Sequence, residues 1–173
     1  MVVEADESDG SFNKLPATVA IVTNIDKEHL DYYSSFLNLK RAFERFISSV
    51  PFYGVAICCI DDKNVANVIS NVKDRKIITY GFSEKADFTI RNLRIGEQGT
   101  TFDLDDKVAN IYLRDFCLPM IGQHNALNAC AAILAASNLS IPINFIKSAL
   151  AKFEGVSRRF TRIGFFNGAT IID

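Results

Sequence analysis

Tryptophan is absent from the 173 residues, and histidine occurs twice, as His29 and His124. Two imidazoles cannot build a histidine-rich zinc site, so any metal chemistry must lean on oxygen ligands. Of the four cysteines, Cys58 and Cys59 are adjacent inside an apolar run, and Cys117 and Cys130 stand alone. That spells neither a CxxC metal pair nor a disulfide framework, and buried free thiols acting as small hydrophobes are expected. Basic residues are not in excess: 19 Lys and Arg against 20 Asp and Glu give a net charge of -1. This excludes the electrostatic footprint of a nucleic-acid binder. The longest unbroken apolar run, Ala129 to Ala136, has eight residues, far below the ~20 that a membrane-spanning helix needs. The chain is acidic from Glu4 onward, where a secretory signal would be basic and then apolar, so a cytoplasmic location is expected.

What is present is a core. Hydrophobic residues make up 49% of the chain, and a length near ~150 residues is the usual size of one domain. Val2-Val3 reads as the tail of a strand, and Thr18 to Thr23 (TVAIVT) is a β-branched run of the kind buried on both faces of a parallel sheet. From Phe36 to Val50, Phe36, Leu39, Phe43, Phe46, Ile47 and Val50 recur at helical spacing, and Pro51 ends the stripe. Val55 to Ile60 is a second buried strand, Asn64 to Val72 a short helix and Ile77 to Phe82 a third strand. Asp87 to Leu93, Thr100 to Leu104 and Val108 to Leu113 have only turn-like segments between them, which predicts a small antiparallel subsheet. Asn125 to Ala136 and Ile143 to Phe153 are helical, and Asn167-Gly168 suits a tight hairpin between Phe160 to Phe166 and Ala169 to Ile172. The fold class is therefore α/β, a mostly parallel sheet flanked by helices with a small antiparallel subsheet.

Four stretches could carry chemistry. EADESDGSF holds Glu4, Asp6, Glu7 and Asp9 directly after Val2-Val3. Carboxylates beyond a strand's carboxyl end can hold Mg²⁺, but they also make an ordinary solvated turn leading into a helix. TNIDKEHLD places Asn24, Asp26 and His29 after TVAIVT, where His29 is either a solvated surface group or a partner to those carboxylates on one ion. GQHNALNA puts Asn125 and Asn128 three apart on one helical face, two carboxamides suited to an adenine edge, or Asn125 is plainly a helix cap. GVSRRF carries adjacent arginines whose planar forks suit phosphate oxygens, or form a solvated face.

In this order and spacing, the four stretches resemble the central domain of the Mur ligases, and the likeness covers essentially the whole chain. EADESD, PFYG (Pro51 to Gly54) and TYGFSEKAD (Thr79 to Asp87) resemble the alanine-adding branch in particular. The resemblance implies an ATP-dependent ligase of peptidoglycan synthesis. In it a carboxylate of UDP-N-acetylmuramate is phosphorylated to an acyl phosphate, and the amine of L-alanine displaces phosphate. It further implies Glu4 and His29 as Mg²⁺ ligands and Asn125 and Asn128 as the adenine contacts. Arg159 would contact the ATP phosphates, His124 would support that pocket, and Asp6, Ser8 and Asn24 would face the sugar nucleotide.

The sequence departs from the family pattern in one respect. The family's glycine-rich phosphate loop lies upstream of the acidic motif, and only three residues precede Glu4. The expectation is thus a central ATP-binding domain, residues 1–173, cut at both ends. The N-terminal UDP-binding domain and the closing C-terminal domain of the same enzyme would be its missing partners, and the isolated chain should not catalyse ligation. In sister ligases a carbamoylated lysine places a second metal, and no equivalent occurs around Phe43 and Glu44. Two other readings stay open: another ligase of this fold, such as a folylpolyglutamate synthase, and a non-catalytic stand-alone fragment.

Overall fold

A computed structural model describes residues 1–155 and 162–172. The parallel part of the sheet is β1 (Val19–Val22), β2 (Val55–Cys59) and β3 (Ile77–Gly81), in that order, with Ala20 opposite Ala56 and Cys58 opposite Thr79. Between these strands run α1 (Leu30–Tyr33), α2 (Phe36–Ser48) and α3 (Lys63–Ile69). Strand β2 is buried throughout, and its side chains alternate between two cores. Ala56 and Cys58 face one core with Leu39, Ala42 and Ile47 of α2 and Val65 and Val68 of α3. Val55, Ile57 and Cys59 face the other. Burying one such branched side chain contributes roughly 1.5–3 kcal/mol, so a strand with no exposed position holds both layers together.

The helices start where local chemistry allows. The Ser35 side chain accepts the Asn38 N–H at the head of α2, and the Asp62 carboxylate accepts the Asn64 and Val65 N–H groups at the head of α3. After β3 the chain turns through residues 82–87 and lays β4 (Phe88–Gly96) parallel to the last residues of β3, Tyr80 opposite Phe88 and Gly81 opposite Thr89. Parallel neighbours usually need a crossover of a dozen residues or more. Here carboxylates hold the short turn: Asp61 accepts the Phe82 and Ser83 N–H groups, and Asp87 accepts the Thr79 N–H and hydroxyl. Strand β4 runs on past the carboxyl end of β3 and pairs antiparallel with β5 (Gly99–Asp106), which pairs with β6 (Ile111–Leu118). The antiparallel strands thus continue the main sheet rather than forming a separate one. Helices α4 (Gln123–Asn138) and α5 (Ile143–Ala151) pack over its second face. The hairpin β7 (Arg162–Phe166) and β8 (Ala169–Ile172) turns at Asn167 and Gly168, both at positive φ as expected.

Three expectations are corrected. Val2 and Val3 are exposed and lie outside any strand, because nothing among the described residues pairs with them. The TVAIVT run is covered fully on one face and only in part on the other: Ala20 and Val22 are buried in the core with α2, and Val19 packs against the second core, but Ile21 is exposed. The last antiparallel strand begins at Ile111 rather than Val108, since the Asp106 carboxylate accepts the Val108 and Ala109 N–H groups and turns those residues into the connection. Cys58, Cys59 and Cys130 are buried thiols as expected, whereas Cys117 is exposed. No helix among the described residues is long and apolar enough to cross a membrane.

Candidate functional site

Two pockets adjoin the predicted residues. The larger, about 820 Å³, opens between the start of β5, the end of β6 and the amino end of α4. It is lined by His124, Asn125 and Asn128 together with Gly99, Met120 and Ile121, so the three candidate residues of GQHNALNA meet in one cavity. A volume of this order is that of a cofactor pocket. The position before α4 is Gly122, not Asn125, and its φ of 125° and ψ of 148° are open to glycine alone. The His124 ring lies across the bare face of Gly122: a Cβ added there would sit 2.7 Å from Cε1. Asn125, in the first turn, reaches back to donate from Nδ2 to the Ile121 carbonyl at 2.9 Å. Its Oδ1 accepts no hydrogen bond among the described residues, and the residue lines the cavity.

Sequence reasoning missed the residue beneath this loop. Thr100, only 1% exposed, donates its hydroxyl to the Met120 carbonyl at 2.7 Å and accepts the Gly122 N–H at 3.2 Å. No motif announces it, because its partners lie 20 and 22 residues away.

The smaller pocket, about 160 Å³, lies at the carboxyl end of β1 between the acidic loop and the TNIDKEH loop, with Glu7, Asn24 and Asp26 among its lining residues. His29 occupies a left-handed conformation, φ 56°, at the head of α1. Its Nε2 stands 3.7 Å from Oε1 of Glu7 and 4.0 Å from Oε2 of Glu28. Glu4 is exposed and makes no hydrogen bond or ion pair with the described residues, so Glu7 is the loop carboxylate beside the imidazole. The Asp6 carboxyl is held below its ordinary range, chiefly by the Ser8 N–H that donates to it at 2.7 Å and to a lesser degree by the nearby His29. That bond ties Asp6 and Ser8 to each other. Asn24 accepts from the Thr23 hydroxyl and donates to Asp26.

The acidic loop is pinned from α1. The Tyr33 hydroxyl donates to the Glu7 carbonyl at 2.5 Å, and Tyr32 packs against Gly10, which has a φ of 70°. An imidazole beside carboxylate oxygens is a donor set that suits a divalent cation. Among the described residues, however, no three His, Cys, Asp or Glu side chains already converge on one point. Arg159 lies outside the described residues.

The profile of the Mur ligase middle domain matches residues 1–136. The chain is 49% identical to the UDP-N-acetylmuramate--L-alanine ligase of Roseobacter denitrificans, an alignment that covers 100% of this chain and 37% of that protein. The chain thus spans under two-fifths of the length of this relative. The solved UDP-N-acetylmuramate-alanine ligase MurC from Thermotoga maritima superposes with a TM-score of 0.79 at 23% identity, covering 97% of this chain and 37% of that one. The MurF ligase from Thermotoga maritima in complex with ADP gives 0.70 at 19% identity, covering 91% and 35%. These two likenesses are of the fold, and the profile match over residues 1–136 carries the conclusion that the chain belongs to the Mur ligase family.

Proposed function

We propose that this chain is the ATP-binding portion of a cytoplasmic bacterial ligase that joins L-alanine to UDP-N-acetylmuramate through an acyl phosphate in peptidoglycan synthesis. The observation that carries the reading is the cavity at the head of α4, where His124, Asn125 and Asn128 line one wall. Similarity near 50% over the whole chain to ligases of that name supports the substrate assignment.

The chemistry asks the protein for positioning and charge neutralisation. Asn125 offers a free acceptor oxygen to the exocyclic amine of an adenine ring, and Asn128, one turn along, lies on the same wall. His124 packs over Gly122 and closes the cavity on that side. The amino end of α4 carries partial positive charge, which favours a phosphate-bearing ligand at this end of the helix. Mg²⁺, held by Glu4 and His29, would offset the charge of the transferring phosphoryl group. Glu7 and Asp6 add negative charge beside His29 that attracts such a cation. Asp6, Ser8 and Asn24 face the sugar nucleotide in this reading, and Arg159 meets the ATP phosphates.

The phosphate loop, the UDP-binding domain and the closing domain belong to other parts of the same enzyme, so the isolated chain is inactive. The test is phosphate release by the complete gene product carrying this sequence. Release that requires UDP-N-acetylmuramate, L-alanine and MgATP together supports the proposal. Release with a folate in place of the sugar nucleotide overturns it.

A further inference from the structure

We propose that Thr100 is a positioning residue for the nucleotide cavity, fixing the loop that presents His124, Asn125 and Asn128. The inference rests on the nucleotide reading of that cavity and goes beyond it, because Thr100 itself is buried beneath the wall.

The loop from Pro119 to Gly122 has left the β6 ladder, which ends at Leu118, and has not yet entered α4. Its backbone groups therefore need partners from elsewhere. Thr100 supplies two at once: its hydroxyl hydrogen goes to the Met120 carbonyl at 2.7 Å, and its oxygen takes the Gly122 N–H at 3.2 Å. Asn125 holds the same loop from the helix side through the Ile121 carbonyl. Gly99 closes the arrangement, since a Cβ there would stand 2.2 Å from the Leu118 carbonyl oxygen, and strand and loop meet backbone to backbone. Thr100 thus ties the start of β5 to the residue whose φ of 125° sets the direction of α4 and the seat of the His124 ring. Removing the hydroxyl while keeping the shape frees both backbone groups. The loop then samples positions in which the carboxamides no longer share one wall, and the cost falls on binding as lost preorganisation.

The test compares Thr100→Val and Thr100→Ser in the complete gene product, reading the ADP Kd by calorimetry and the KM values for ATP and L-alanine by phosphate release. Thr100→Val is expected to raise the ADP Kd by about tenfold, equal to ~1.4 kcal/mol. The ATP KM should rise with it and the L-alanine KM should not, and Thr100→Ser, which keeps the hydroxyl, should restore both. A Thr100→Val protein that melts earlier but binds ADP as the parent does would overturn the positioning role. Should that variant fail to fold, Thr100→Cys fills the space with a weak donor, and parental ADP affinity in it overturns the role equally. Absence of ADP binding by the parent overturns the nucleotide reading, and this inference with it.

Discussion

Gly122→Ala isolates a backbone requirement from a steric one. At φ 125° and ψ 148° an alanine is held in territory open to glycine, at a cost of about 1–3 kcal/mol. The added Cβ also falls 2.7 Å from Cε1 and 3.0 Å from Nδ1 of His124. That ring is the far end of a side chain and can swing aside, so the clash adds little to the backbone cost. The swing does remove His124 from the cavity wall. For a chain of this size each kcal/mol lowers the melting temperature by about 2–4 °C, which predicts a drop of roughly 2–12 °C. Calorimetric melting of Gly122→Ala beside Gly96→Ala is the assay. A Cβ at Gly96 meets nothing within 4 Å, and that variant should stay within about 0.5 kcal/mol of the parent. A Gly122→Ala protein that melts with the parent would refute the argument, since the strained φ could then not be real.

Three further outcomes are expected. The Arg91 guanidinium holds the Glu84 carboxyl down to about 2 from an ordinary 4.5, with Lys107 assisting. A carboxyl depressed on folding contributes stability above its unfolded pKa and loses it as pH falls toward the folded one. Glu84→Gln should therefore flatten the melting temperature between pH 4.5 and 2, and an unchanged profile would count against the pairing. Burial pushes the Cys58 thiol up to about 12 and raises those of Cys59 and Cys130. A thiol reagent at pH 8 should then label the exposed Cys117 promptly and the others only on unfolding; prompt labelling of more than one thiol contradicts the packing. Glu4→Ala in the complete gene product should lower turnover by more than ~100-fold, beyond the loss from removing an outer-sphere partner. Its melting temperature should not move, because Glu4 makes no described contact, and parental turnover would remove it from the metal site.

What the sequence alone determined are the features set by near neighbours along the chain. Helical spacing from Phe36 to Val50 marked α2, the apolar run Val55 to Ile60 marked the buried strand β2, and Asn167-Gly168 marked a turn with two positive φ values. Each is decided within a few residues by side-chain period or by which residues tolerate left-handed backbone. Asn125 and Asn128 were legible as neighbours on one helical face for the same reason, and His124, which only the family resemblance named, lines the same cavity. Tertiary structure alone decided whatever depends on partners far along the chain. Thr18 to Thr23 looks buried on both faces, yet Ile21 is exposed while Val19 on the same strand packs against the second core, because the coverage of a strand is set by what the fold lays over each position. The acidic loop offered four carboxylates, and only the fold set Glu7 beside His29, through a Tyr33 hydroxyl 26 residues away. Thr100 is one threonine among several in the sequence. Its two hydrogen bonds exist because β5 and the head of α4 meet in space, and burial makes those bonds obligatory.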